Sequence, residues 1–127
     1  MSESVLPDIE IYLKRVPPAD IICWLNERFI VDSQTPVGET LQFSLRHEDR
    51  VLSAVFLEKA VKGGYSSLLF EPNATPWATD EACAEEAFRR FDAEVRCSTG
   101  GWTSGTDDRG GWYRFTKEGK SVVNWLT

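Results

Sequence analysis

The chain has 127 residues, 42% of them hydrophobic and 27% charged, a balance that suits one globular domain spanning residues 1–127 and able to bury a core without staples. Its formal net charge is −6, with 20 acidic against 14 basic residues, so it lacks the clustered cations that nucleic acid or an anionic membrane surface requires. No apolar run approaches the ~18 residues of a membrane helix. The start, MSESVLPDIEIYLKR, is acidic ahead of its apolar residues and lacks the basic-then-apolar order of a secretory leader, so a cytoplasmic protein is expected.

The first expected element is a strand, IEIYLKRV, with strand-forming Ile9, Tyr12 and Leu13 between Pro7 and Pro17. PPADIICWLNERF then reads as a helix. Its prolines fit the first turn, where a missing N–H costs nothing, and Asp20 suits the positive end of the dipole. Ile21, Ile22, Leu25 and Phe29 form a one-sided stripe flanked by Trp24. SQTPVG reads as turn-rich. Three strand-like runs follow: TLQFSLRH, alternating cleanly; VLSAVFLEKA, apolar on both faces like a central strand; and YSSLLFE. The polar turns HEDR and KGG join them, which implies antiparallel pairing.

EPNATPWATDE ends this meander and opens a second helix, with Thr79 as N-cap and Asp80 and Glu81 in the first turn. Ala84, Ala87, Phe88, Phe91 and Val95 form its apolar stripe, and the pattern places its end near Cys97. Glu85–Arg89 and Glu86–Arg90 are spaced as i,i+4 pairs on a solvated side. GWYRFT, KEGK and SVVNWL close the chain as a hairpin. The order is β-α-β-β-β-α-β-β. It implies an α+β fold, with a single mainly antiparallel sheet of about six strands and two helices packed on one face.

Several chemistries fail on residue type or spacing. His47 is the sole histidine and lies beside a polar turn, where a solvated ring is expected rather than a catalytic base. Cys23, Cys83 and Cys97 include no short-spaced pair of the kind found in structural zinc sites, and read as reduced, core-type thiols. EGKS at 118–121 echoes a phosphate-binding loop, but Arg114 stands where that loop needs glycine and a strand pattern follows. The glycines of GGWTSGTDDRGGW lead into a strand, and Asp107 and Asp108 would repel a dinucleotide phosphate. They also lack the alternating oxygens of a calcium loop. Asn73 opens a glycosylation triplet that reads as a chance match in the absence of a leader. No cofactor and no metal is expected.

Five tryptophans stand out, three of them in or beside loops: Trp77, Trp102 and Trp112. Trp77 could staple back onto the first turn of the second helix. Two functional readings follow. The first is a non-enzymatic protein-interaction domain, for example an inhibitor or immunity-type protein masking a basic partner. It would bind through the Trp102 loop, the exposed sheet face or the acidic second helix. The second is a small-molecule binder or enzyme with a pocket between the sheet and the Gly-rich loop 98–111. Trp77, Trp102 and Tyr113 would line it, with Arg109 or Arg114 as anchor. Trp77, Trp102, Asp107, Asp108, Arg109 and Tyr113 are therefore the candidate site residues. A homodimer through a half-wet face or an edge strand is a further possibility.

Overall fold

A computed structural model of the chain describes residues 8–98 and 111–123. In chain order the elements are β1 (Ile9–Lys14), α1 (Pro18–Arg28), β2 (Ile30–Val37), β3 (Thr40–His47), β4 (Arg50–Val61), β5 (Tyr65–Glu71), α2 (Asp80–Phe91), β6 (Val95–Ser98), β7 (Trp112–Thr116) and β8 (Gly119–Val123). The strands form one sheet in the order β2-β3-β4-β5-β1-β6-β7-β8, antiparallel at every pairing. The N-terminal strand therefore lies in the middle. It joins the meander β2–β5 to the meander β6–β8. The α+β class, the single antiparallel sheet and the two helices agree with the sequence reading.

The sheet has eight strands rather than about six. The first addition is β2, where SQTPV carries turn-type residues yet pairs with β3 across a bulge between Val31 and Ser33. All but one of its residues are exposed, so it shows none of the alternation that marks a half-buried strand. The second is β6. Val95 fits the period of the α2 stripe, but the helix stops at Phe91. Asp92 takes a left-handed conformation (φ 55°) and donates its N–H to the Phe88 carbonyl. Cys97 thus lies in a four-residue strand and not at a helix end.

Alternation places Ile9, Ile11 and Leu13 of β1 on one face, beside Leu68 and Phe70 of β5 and Val95 of β6. Phe43, Leu45, Leu52, Ala54 and Phe56 extend this buried layer toward β2. Both helices pack on it. α1 contributes Ile21, Trp24 and Leu25, and α2 contributes Cys83, Ala84 and Ala87, small residues that let the helix lie close. β4 is apolar on both faces, as its sequence suggests, but only one of them is buried. Leu52, Ala54 and Phe56 are buried, whereas Val51 is 62% exposed and Val55 and Leu57 are half-buried. The Thr79 cap is present, its hydroxyl accepting from the Ala82 N–H at 3.1 Å. Among the described residues no helix is long and apolar enough to cross a membrane.

Candidate functional site

With the helices on one face, the opposite face of the sheet carries the alternate residues of every strand. The strand register aligns one row across all eight: Val37, Thr40, Leu57, Ser67, Tyr12, Arg96, Arg114 and Ser121. A second row runs Thr35, Gln42, Val55, Leu69 and Glu10. Tyr12 meets Trp112 edge-on at 5.7 Å on the same face. No described element lies over this face.

At its β6–β7 end a carboxylate gathers three donors. Glu94 Oε2 accepts from the Tyr65 hydroxyl (2.8 Å), Arg96 Nε (2.8 Å) and Arg114 Nε (3.1 Å). Burial pushes the Glu94 carboxyl up, but these three hydrogen bonds outweigh it and hold the group below the usual carboxylate range. Burial, with the bond to Glu94, pushes the Tyr65 phenol up to about 12. The pair is thus locked as carboxylate and neutral phenol around neutrality. That fastens β5 to β6 and β7 and suits neither group to proton transfer.

The sequence-derived site residues divide. Trp77 is buried, its ring against Trp24, Phe29 and Phe70, and its indole N–H donates to Glu86 Oε1 at 3.0 Å. It belongs to the core between α1 and the sheet, not to a pocket wall, and its ring reaches α1 rather than folding only onto the first turn of α2. Tyr113 is half-buried on the helix side, near Phe115 and beneath Lys120 Nζ at 4.2 Å. Trp77 and Tyr113 are not in contact. Trp102, Asp107, Asp108 and Arg109 lie outside the described residues, as do residues 99–110 of the Gly-rich loop. A cleft of about 310 Å³ among the described residues lies elsewhere. It is open, and Phe88, Asp92, Glu94, Arg114, Thr116 and Lys117 are among its lining residues.

The acidic second helix proves largely committed to internal partners. Glu85 pairs with Arg89 as its spacing predicts, at 2.6 Å. Glu86 does not pair with Arg90. It turns toward α1, accepting both the Trp24 and Trp77 indoles and pairing with Arg28 at 2.9 Å. Arg90 instead grips Glu27 of α1 with two bonds, at 2.9 and 2.7 Å. Glu81 is bound by Lys120, and Asp80 accepts from the Glu10 N–H. The solvated-face reading therefore holds for Glu85 and Arg89 and fails for Glu86, which turns inward to α1.

His47 ends β3 half-buried, its ring edge-on to Phe29 at 5.8 Å, rather than standing free in the turn. Cys83 and Cys97 are fully buried; Cys23 is exposed, contrary to a core reading. Asn73 is buried too, its amide donating to the Trp77 carbonyl, so its triplet is part of a folded turn. Among the described residues no group of three or more His, Cys, Asp or Glu side chains could hold a metal ion. Sequence reasoning missed Tyr12, Glu94 and Arg96. The alternation of Ile9, Ile11 and Leu13 already places Tyr12 on the far face, whereas Glu94 and Arg96 were hidden by the misplaced helix end. Searches against family models, curated proteins and solved structures give no match to this chain.

Proposed function

We propose that this chain is a non-enzymatic protein-interaction domain whose binding surface is the sheet face opposite the helices. The observation that carries this is one-sided cover: both helices pack on one face, and the other presents Val55, Leu57, Leu69 and exposed valines in register. An antiparallel sheet can leave one face to water, but that face is then dominated by polar residues. Apolar side chains gathered on such a face mark an interaction surface. Of the surfaces considered from sequence, α2 is the weakest, because its carboxylates already have partners within the fold. An inhibitor-like role against a basic partner draws its support from the net charge of −6.

The test is affinity capture from the source cells with the wild-type chain and with Leu69→Lys, which places a charge at the centre of the face. One defined protein retained by the wild type and lost with the folded variant supports the reading. An undiminished partner with Leu69→Lys moves the interaction elsewhere. The cleft of about 310 Å³ gives a second reading, a small-molecule site. A metabolite that raises the melting temperature of the wild type, but not of Thr116→Trp, would favour it.

A further inference from the structure

The face opposite the helices is not uniform. Three of the four large hydrophobic residues exposed among the described residues lie on its β2–β3–β4 wing: Ile30 (55%), Val37 (47%) and Val51 (62%). Val55 and Leu57 join them in the same two-residue rhythm. The register gives this wing twelve outward positions. Five are these aliphatic residues, six are serine, threonine or glutamine, and one is Arg46. That single cation is neutralised, since Asp32 holds it through two bonds at 2.9 and 3.0 Å. A protein of net charge −6 therefore carries a wing with no net charge.

We infer that this wing is the contact surface between two copies of the chain, packed sheet on sheet about a two-fold axis. The inference rests on the interaction reading above and names the occupant of that face. Two copies of charge −6 repel wherever their acidic surfaces meet, and the neutral wing is where they can approach without like charges in apposition. A two-fold contact places the same patch on both sides, so a neutral surface, half of it β-branched, is self-complementary where a charged one is not. Sheets pack face to face about 10 Å apart with such side chains interdigitating. The carboxylate at this wing, Asp32, is already engaged by Arg46.

Strand spacing sets the strength of the contact. The three strands of the wing, at about 4.8 Å each and about 25 Å long, offer roughly 360 Å² per copy, about half the ~800 Å² of a standard stable interface. The dimer is accordingly one that forms with concentration.

Sedimentation equilibrium of the full chain from about 5 to about 500 µM tests this, a range suited to an interface of this size. The expected weight-average mass climbs from 14.4 kDa toward about twice that value. Raising the salt strengthens association, because it screens the repulsion between the two −6 charges. Val51→Lys and Ile30→Lys, both on exposed side chains, keep the circular dichroism spectrum and abolish the rise. A wild type that stays monomeric throughout overturns the inference. So does a dimer weakened by salt, or one that both lysine variants leave intact. A monomeric wild type whose protein partner is lost with Leu69→Lys sinks the dimer while leaving the proposed function standing.

Discussion

Trp24 and Trp77 lie with ring centroids 5.3 Å apart and donate their indole N–H groups to opposite oxygens of one carboxylate, Glu86, at 3.2 and 3.0 Å. One indole comes from α1 and the other from the segment entering α2. A buried indole needs an acceptor, and here a single side chain of α2 serves both. Arg28 of α1 balances the charge at 2.9 Å and lies 5.8 Å from the Trp77 ring. The helices are thereby joined to each other as well as to the sheet, independently of the open face.

Glu86→Ala is expected to cost about 2–4 kcal/mol in urea unfolding, because two indole donors lose a charged acceptor at once. Its neighbour Glu85 pairs, among the described residues, with Arg89, whose side chain is 73% exposed, so Glu85→Ala is expected to cost less than about 0.5 kcal/mol. Equal effects at the two positions would mean that water replaces the carboxylate and that the clamp contributes little.

Alkaline pH should loosen the β5–β6–β7 junction. The Tyr65 phenol is raised from 10.0 to about 12, by burial first and by its bond to Glu94 second. A group raised on folding contributes stability that is complete below its unfolded value and disappears as the pH climbs through the folded one. The loss therefore falls between pH 10.0 and about 12. Tyr65→Phe is expected to be less stable at neutral pH and to show a shallower alkaline decline. Unfolding free energies measured against pH for both chains check this, with phenolate absorbance following the titration.

Thiol labelling should separate the three cysteines. Cys83 and Cys97 are buried, and desolvation pushes the Cys83 thiol well up and that of Cys97 to about 12, whereas Cys23 is exposed. Only the thiolate is nucleophilic. A disulfide reagent at neutral pH is expected to label Cys23 in the native chain and all three only in denaturant. Fast native labelling at Cys97 would show that β6 opens readily.

Local signals read correctly from sequence, and non-local ones did not. The Thr79 cap, the Asp80–Glu81 turn and the alternation of β1 and β3 each depend on neighbours within a few residues. β2 did not read as a strand because its Ser33–Gln34–Thr35–Pro36 run owes its conformation to β3 beside it. Glu86 was assigned to Arg90 by spacing, yet Arg28, Trp24 and Glu27 of α1 rearranged both side chains. The candidate site suffered most. The open face itself was read, since two helices on one side leave the other uncovered, but which residues occupy it is a product of register, and β2, absent from the reading, contributed none.

Asp92 is the residue that separates α2 from β6, and it does so at a cost. A left-handed φ of 55° disfavours any L side chain by roughly 1–2 kcal/mol, least for Asp and Asn, and glycine adopts it freely. Among the described residues its ion pair is with Lys117, at 3.9 Å between two side chains more than 70% exposed, so little is lost by removing the carboxylate. Asp92→Gly is therefore expected to match or exceed the wild type by up to about 1 kcal/mol, and Asp92→Val to lose about 1–2 kcal/mol. Thr79→Ala at the other end of the helix removes the bond to the Ala82 N–H and is expected to cost about 1 kcal/mol. Denaturation midpoints of the three variants decide the matter. If Asp92→Val were as stable as the wild type, the backbone at position 92 would not need the left-handed turn, and the helix could run on toward Val95 as its apolar period suggests.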